Sequence, residues 1–465
     1  MQLSHSPTAV SVSFDEPNLV SAAGLVPAMA LADDAGLRDL ADEWLSVPTD
    51  KGANAGLKVA SLVAGMVAGA DSIDDMALLR HGGMGRIFKT CYAPSTLGSF
   101  LRSFTFGHVR QLDATASRFL VNLAGRAPLI PTSAGGYTFV DVDDTIIEVH
   151  GYAKQGSGYG YSGVRGLNAL LATVSTPDSA PVIVAQRLRK GSAGSPRGAK
   201  RLVADAMATV VRVRGAGPSG PVLVRADSAF YGYSAVAAAA KAGAAVSVTV
   251  RMDPAVKKAI AGIAQDAWTP IKYTDAVYDE TSKRWISSAE VAETEFTAFS
   301  SRKQSERVTG RLVVRRIPEL NPQAGAGQTT LFDTHRHHAF FTTGTMDTVA
   351  ADKTHRGHAV IEQVNADLKD SALAHLPSGV FTANAAWLVL AVMAFNLTRA
   401  AATAAGNALA KARTGTIRRK LISVPARIAS SARKIRLHLP AGWPWETAWT
   451  DLSALALKPP AKAPA

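Results

Sequence analysis

The chain has 465 residues, 47% of them hydrophobic and 19% charged, which allows several domains and excludes a disordered or fibrous class. Fifty Lys and Arg against 37 Asp and Glu give a net charge of +13 at pH 7, which favours a polyanionic partner, nucleic acid first. A single cysteine, Cys91, excludes an intramolecular disulfide and a multi-cysteine zinc site, in keeping with a reducing compartment.

Met1 to Pro17 holds no basic segment followed by an apolar run, so the sequence reads as lacking a secretory signal and as a soluble, cytoplasmic protein. Residues 1–131 read as an all-α region, with helices expected over 22–31, 36–45, 55–68 and 72–80 and two more after Pro94. The last two, with Leu97, Phe100 and Leu101 as an apolar stripe, have the spacing of a helix-turn-helix that would turn Arg102 and Arg110 toward DNA. An ordinary helical hairpin fits the same residues.

At Tyr137 the period changes. Residues 137–149 are β-branched and aromatic, and a Gly-rich stretch over 151–166 follows, so a hairpin is expected. Strands over 167–175 and 182–187, a helix over 199–213, an apolar strand over 221–225, a helix over 234–240 and a strand over 245–251 complete a first core segment, 132–252. This order resembles a ribonuclease H-like fold. Residues 253–345 alternate Trp, Tyr, Val and Thr around a turn-rich 322–327 and read as a separate β-rich insertion. The second core segment, 346–410, should hold one long helix starting near Lys353 and a very apolar helix over 383–404. Its most apolar run, 385–395, is shorter than the ~20 residues that span a bilayer, so no membrane partner is expected. Residues 411–465 form a basic C-terminal region. Nine Lys or Arg and no acid lie between Lys411 and His438, and a Pro/Ala-rich tail closes the chain.

Three acids occupy places from which a fold can deliver them to one point. Asp143 lies in a strand and shares its ideal face with Asp141, while Asp144 points the other way. Asp227 ends an apolar strand, where a carboxylate is costly to bury unless paired or bound to a cation. Glu362 lies on a helix, with His358, Asn365 and Lys369 on the same helical face. Their joint order in a strongly basic chain points to a shared metal site.

The stretches Val140-Asp141-Val142-Asp143-Asp144-Thr145, Val224-Arg225-Ala226-Asp227-Ser228 and His355-Arg356-Gly357-His358-Ala359-Val360-Ile361-Glu362-Gln363 resemble the three acid motifs of insertion-sequence DDE transposases. The matching group carries a β-rich insertion before the Glu. The likeness runs from about Tyr137 to Arg436 and takes in Asn384, Asn396-Leu397-Thr398-Arg399, residues 417–422 and residues 425–427. It implies an α/β fold: a ribonuclease H-like catalytic core with an all-α N-terminal region that helps to recognise element ends. It also implies Asp143, Asp227 and Glu362 as catalytic residues and metal ligands, with Mg²⁺ or Mn²⁺ as cofactor. The implied partner is double-stranded DNA, both element ends and target, with a homodimer in the DNA complex. Arg356, His358 and Lys369 would then meet phosphates near the cut, and Arg418, Arg419 and Lys420 would bind DNA further along. The choice of Asp143 over Asp141 rests on the family's Asp-x-Thr spacing. The chain departs from many relatives in carrying His355 where they have Tyr and His358 where they have Arg, which makes phosphate contacts there pH-dependent. A nuclease that cuts without joining, and a DNA-binding protein without catalysis, share these features. Trp268 and Trp285 are candidates to stack on an extruded base, and Tyr152, Lys154, Tyr159, Tyr161 and Arg165 form a candidate DNA-touching loop.

Overall fold

A computed structural model describes the chain except for residues 49, 132–135, 152, 216–219, 280–283, 319–334, 432–433 and 458–465. The expected turn at 322–327, Tyr152 and the Pro/Ala-rich tail lie outside the described residues. The N-terminal helices are α1 (Leu25–Asp34), α2 (Leu37–Trp44), α3 (Ala55–Ala68), α4 (Pro94–Arg102) and α5 (Phe106–Arg126). This region is not wholly helical, because Leu19–Val20 pairs with Ala426 and Arg427 of a C-terminal hairpin. The strands Ala426–Ser431 and Lys434–His438 therefore hold Leu19–Val20 in a three-stranded sheet.

Strand β1 (Thr138–Glu148) lies between an antiparallel neighbour, β2 (Arg165–Ser175), and a parallel one, β4 (Val222–Ala226); β3 (Val182–Lys190) pairs with β2, and β5 (Ala245–Thr249) runs parallel to β4. Helix α6 (Ala199–Arg214) joins β3 to β4, and α7 (Tyr233–Lys241) joins β4 to β5. The β-rich segment comprises β6 (Thr269–Asp279), β7 (Arg284–Ala298), β8 (Val308–Pro318) and β9 (His335–Thr342). Expected to stand apart, it instead extends the same sheet, since β9 pairs antiparallel with β5 through Phe340, Phe341 and Thr342. The alternation read in the sequence is real, but an unpaired edge on β5 gives the returning strand its place, and with the short strand Gly158–Tyr159 on β2 the described residues form one ten-stranded sheet.

The long helix expected from Lys353 is broken. Helix α8 (Thr348–Arg356) ends at a tight 3-10 turn over Gly357–Ala359, and α9 (Val360–Lys369) follows it. Gly357 permits the break to sit on the sheet, because a Cβ there would lie 2.8 Å from the Arg225 guanidinium. Helix α10 (Phe381–Ala404) is 24 residues long, enough by length and composition to cross a membrane, yet its apolar window is buried entirely inside the protein. It is apolar all round because it packs against α3, α4, α5 and β3 at once. The N-terminal helices and the sheet thereby share one core.

Candidate functional site

Strand register sets the site. In the parallel β1–β4 pair, Asp141 lies opposite Arg225 and Val142 opposite Ala226, so the next step along both strands brings Asp143 level with Asp227, at the end of β4 where pairing stops. The β4–β5 and β5–β9 pairs continue the Asp141–Arg225 row through Ser247 to Thr342. Asp141, Asp143 and Arg225 present their side chains to α8 and α9, whereas Asp144 points to the other face, as alternation requires.

Two of the acids on β1 are neutralised by buried arginines. Arg225 donates through Nε and Nη2 to the two carboxylate oxygens of Asp141, both at 2.7 Å, and the two residues are 3% and 0% exposed. The Nδ1–H of His358 donates to the same Asp141 at 3.0 Å. On the opposite face Arg189 Nη2 donates to Asp144 at 2.8 Å, and Asn168 Nδ2 donates to the same oxygen. Asp141 is therefore occupied by charge partners, a sufficient reason for its full burial.

Asp143 and Asp227 have no such partner among the described residues. Asp143 Oδ2 accepts from Asn365 Nδ2 at 2.8 Å, and the carboxyl is pushed up to about 6, by burial first, with Asp227 and Asp144 adding to the shift against the opposing pull of its neighbour's N–H and of His358. Asp227 faces the solvent at the strand end and accepts from the Ala229 N–H at 3.0 Å; its carboxyl too is held above its ordinary value, desolvation being the largest cause. Two carboxyls that hold negative charge reluctantly, side by side and without a guanidinium or ammonium contact, are a locus where a cation would be stabilising.

Glu362 is exposed on α9, one turn before Asn365 on the same side of the helix. Asn365 is thus the residue that docks the Glu362 helix onto Asp143. Its Oδ1 is buried with no hydrogen-bond partner among the described residues, an orphaned acceptor in the residue that contacts Asp143. Sequence reasoning put Asn365 on the Glu362 face and gave it no role. Glu362 itself is not gathered in: among the described residues no three His, Cys, Asp or Glu side chains stand close enough to hold a metal ion. The Asp143 and Asp227 carboxylates, which stand side by side, are hard oxygen donors, and so they fit Mg²⁺ or Mn²⁺ rather than a thiophilic metal.

The expected phosphate contacts divide. His355 is no surface group: its ring stacks on Phe340 at 4.0 Å and 8°, Nδ1 and Nε2 meet Ser247 Oγ and Thr249 Oγ1 at 2.8 and 2.9 Å, and burial lowers it to about 3. It is neutral and structural, because flanking hydroxyls and a sheet aromatic cover most of the ring. Arg356 donates from Nε to Asp352 at 2.9 Å and lies over the Tyr273 ring at 4.9 Å, with about a third of its side chain exposed. Lys369 stands at the surface near Asp143, its ammonium held below the usual lysine value by burial against the pull of Asp143. Arg419 is exposed. Lys420 lies 4.8 Å over the Trp445 ring. Arg418 turns inward against Gly69, with a buried, unpartnered Nε.

Several other cations expected to face DNA are held by the protein. Arg110 bonds Asp113 at 2.6 Å and Asp205 at 3.2 Å, tying α5 to α6, so this residue of the hairpin is not displayed as a recognition-helix contact. Arg102 is exposed. Lys154 donates to the Leu376 and Ser378 carbonyls. Arg165 Nη2 donates to Ser157 at 3.1 Å. Trp268 is covered by Arg316 at 4.2 Å, whereas Trp285 remains 69% exposed beside Tyr278. Arg110 and Lys154 are captured by an acid and by carbonyls from distant parts of the sequence, and Arg165 by a nearby hydroxyl.

A family model described as transposase DDE domain group 1 matches residues 4–459. No curated protein matches the chain.

Proposed function

The chain belongs to the transposase DDE domain group 1 family, and from that premise we propose that it is a DNA transposase that cleaves the ends of an insertion element and joins the freed 3′-hydroxyl to target DNA. The single observation that carries this reading is the pair Asp143 and Asp227, level on adjacent strands and without a cationic partner among the described residues, beside two acids that arginines neutralise. The strand order β3–β2–β1–β4–β5, with only β2 antiparallel to β1 and β3, supports a ribonuclease H-like core. The domain division at 131, 252, 345 and 410 is part of the same reading.

Asp143 and Asp227 would hold the divalent ions, with Glu362 completing the set from α9. Mg²⁺ or Mn²⁺ supplies activation of the attacking oxygen and stabilisation of the leaving one. The chain's own residues do the rest. Arg225 and His358 fix Asp141 and with it the pitch of β1. Asn365 orients the Asp143 carboxylate. Lys369 and Arg356 offer positive charge to the phosphates of the scissile strand, and Arg419 and Lys420 to the flanking duplex. A homodimer would bring two ends together.

The test is incubation of DNA carrying the element's ends with Mg²⁺ or EDTA, comparing wild type with Asp227→Ala and Glu362→Ala. Metal-dependent joined products lost in both variants support the proposal. Cut but unjoined DNA assigns a nuclease, and binding without cutting by wild type refutes an active enzyme.

A further inference from the structure

Behind the Glu362 helix lies a cavity of about 350 Å³, within the size range of small-ligand sites. Val360, Gln363, Val364 and Asp367 line it from α9, and their spacing sets them on the face opposite Asn365 and Glu362. Phe139 lines it from β1, on the same side of the strand as Asp143 and four residues, roughly 13 Å, before it. Helix α9 therefore has Asp143 on one side, through Asn365, and the cavity on the other. Three cations also line the cavity: Arg399 from the last turns of α10, and Lys411 and Arg413 just after that helix. Arg399 is 5% exposed. Its Nη1 donates to the Ala410 and Ala412 carbonyls at 2.9 and 2.6 Å, but its Nε is buried without a hydrogen-bond partner among the described residues. Lys411 donates to the Pro177 carbonyl at 3.5 Å, and Arg413 is exposed. No ion pair among the described residues takes up any of the three. Arg225, also on the wall, is already paired with Asp141. The acid on the wall, Asp367, is committed to Thr414, whose main-chain N–H and Oγ1 both donate to it.

A guanidinium does not shed its proton, and a buried one without a counter-charge is costly. An oxyanion in the cavity offsets that cost, giving Arg399 Nε an acceptor and Lys411 and Arg413 a common partner. Three cations call for more than one negative charge, which a phosphate group carries and a single carboxylate does not. We propose that this cavity is a phosphate-binding site, with Arg399 inside it and Lys411 and Arg413 at its mouth, whose occupant braces α9 from behind and so sets the approach of Glu362 to Asp143. A free phosphate compound and the backbone of a DNA strand both carry that group, and the experiment separates them. The site goes beyond the transposase reading and does not depend on DNA joining.

The experiment is a calorimetric titration of the full chain, free of DNA, with inorganic phosphate at constant ionic strength. Wild type is compared with Arg399→Gln, with the double variant Lys411→Ala and Arg413→Ala, and with the double variant Lys257→Ala and Lys258→Ala, which removes equal charge from exposed positions elsewhere. Wild type should bind one phosphate per chain, saturably. Loss of Lys411 and Arg413 should weaken binding about tenfold with an unchanged thermal midpoint, loss of Lys257 and Lys258 should leave it as in wild type, and Arg399→Gln should abolish it. Arg399 also holds two carbonyls, so where Arg399→Gln is unfolded the variant lacking Lys411 and Arg413 decides. Amides over Val360–Lys369 should exchange more slowly with phosphate bound. A duplex without element ends that displaces phosphate assigns the site to a strand backbone, and one that leaves it in place assigns it to a free phosphate compound. No saturable binding by wild type, or an equal loss in the two double variants, overturns the site, and unchanged exchange over α9 overturns its link to Glu362. Joining of element ends is a separate readout, so either outcome leaves the transposase reading to its own test.

Discussion

His355 offers a sharp test of the reasoning, because its environment fixes both the sign and the size of a pH effect. The folded imidazole is lowered from 6.5 to about 3, chiefly by burial, with the charges of His358, Arg225 and Arg315 in support. The neutral ring serves its two hydroxyl neighbours by donating from one nitrogen and accepting at the other, a pattern that a doubly protonated ring cannot make. Stability from this group is therefore present above pH ~6.5 and is lost as the pH falls toward about 3, because in that window the unfolded chain binds the proton and the folded one does not. At about 1.4 kcal/mol per pH unit, acidification from neutrality to pH ~4 removes about 3 kcal/mol. Asp143 and Asp113 are raised on folding and act in the opposite sense over part of the window, so the useful quantity is a difference. Urea midpoints measured from neutral pH to pH ~4 for wild type and His355→Gln should converge as the pH falls. The variant should be less stable at neutrality through lost stacking, and less sensitive to acid. Parallel profiles would refute the buried, neutral assignment.

Arg225→Met should destabilise the protein by about 3–5 kcal/mol by leaving Asp141 buried and unpaired, and adding Asp141→Leu should restore most of that loss in chemical denaturation. Single-mutant instability that the double mutant does not relieve would contradict the pairing argument. Arg418→Ala should lower the thermal midpoint with little change in the salt dependence of DNA binding. Exposed Arg419→Ala should instead reduce the salt slope by roughly one unit and leave the midpoint alone. A filter-binding titration at several salt concentrations separates the two, and an exchange of phenotypes would overturn the inward placement of Arg418.

Much of the sheet was legible because each strand carries its own signal. Residues 137–149, 167–175 and 221–225 alternate or run apolar between turn residues, and β1, β2 and β4 fall on them. Asp144 facing away from Asp143 followed from alternation alone. What escaped was decided between distant segments. The pairing of β9 with β5 depends on an edge that no local pattern announces. The break at Gly357 falls in an otherwise helical stretch and is fixed by Arg225, 132 residues earlier in the numbering. The very apolar helix expected over 383–404 is α10 nearly to the residue, but the burial of its Asn396 and Arg399 depends on carbonyls of distant segments. Arg110, Lys154 and Arg418 counted as surface charge because composition cannot tell a cation bound for DNA from one held by Asp205, a carbonyl or a glycine turn. Asn365 carries no acid or base and drew no role, though it contacts Asp143.

The central claim is that Asp143, Asp227 and Glu362 act on one metal centre, although only the first two are drawn together in the protein alone. The most direct measurement is an anomalous-difference map from crystals of the complex with element-end DNA, soaked in Mn²⁺. The account predicts manganese peaks between the Asp143 and Asp227 carboxylates, with Glu362 brought to coordinating distance from α9. Manganese bound away from both aspartates, or Glu362 still turned to solvent with metal and DNA in place, would contradict it.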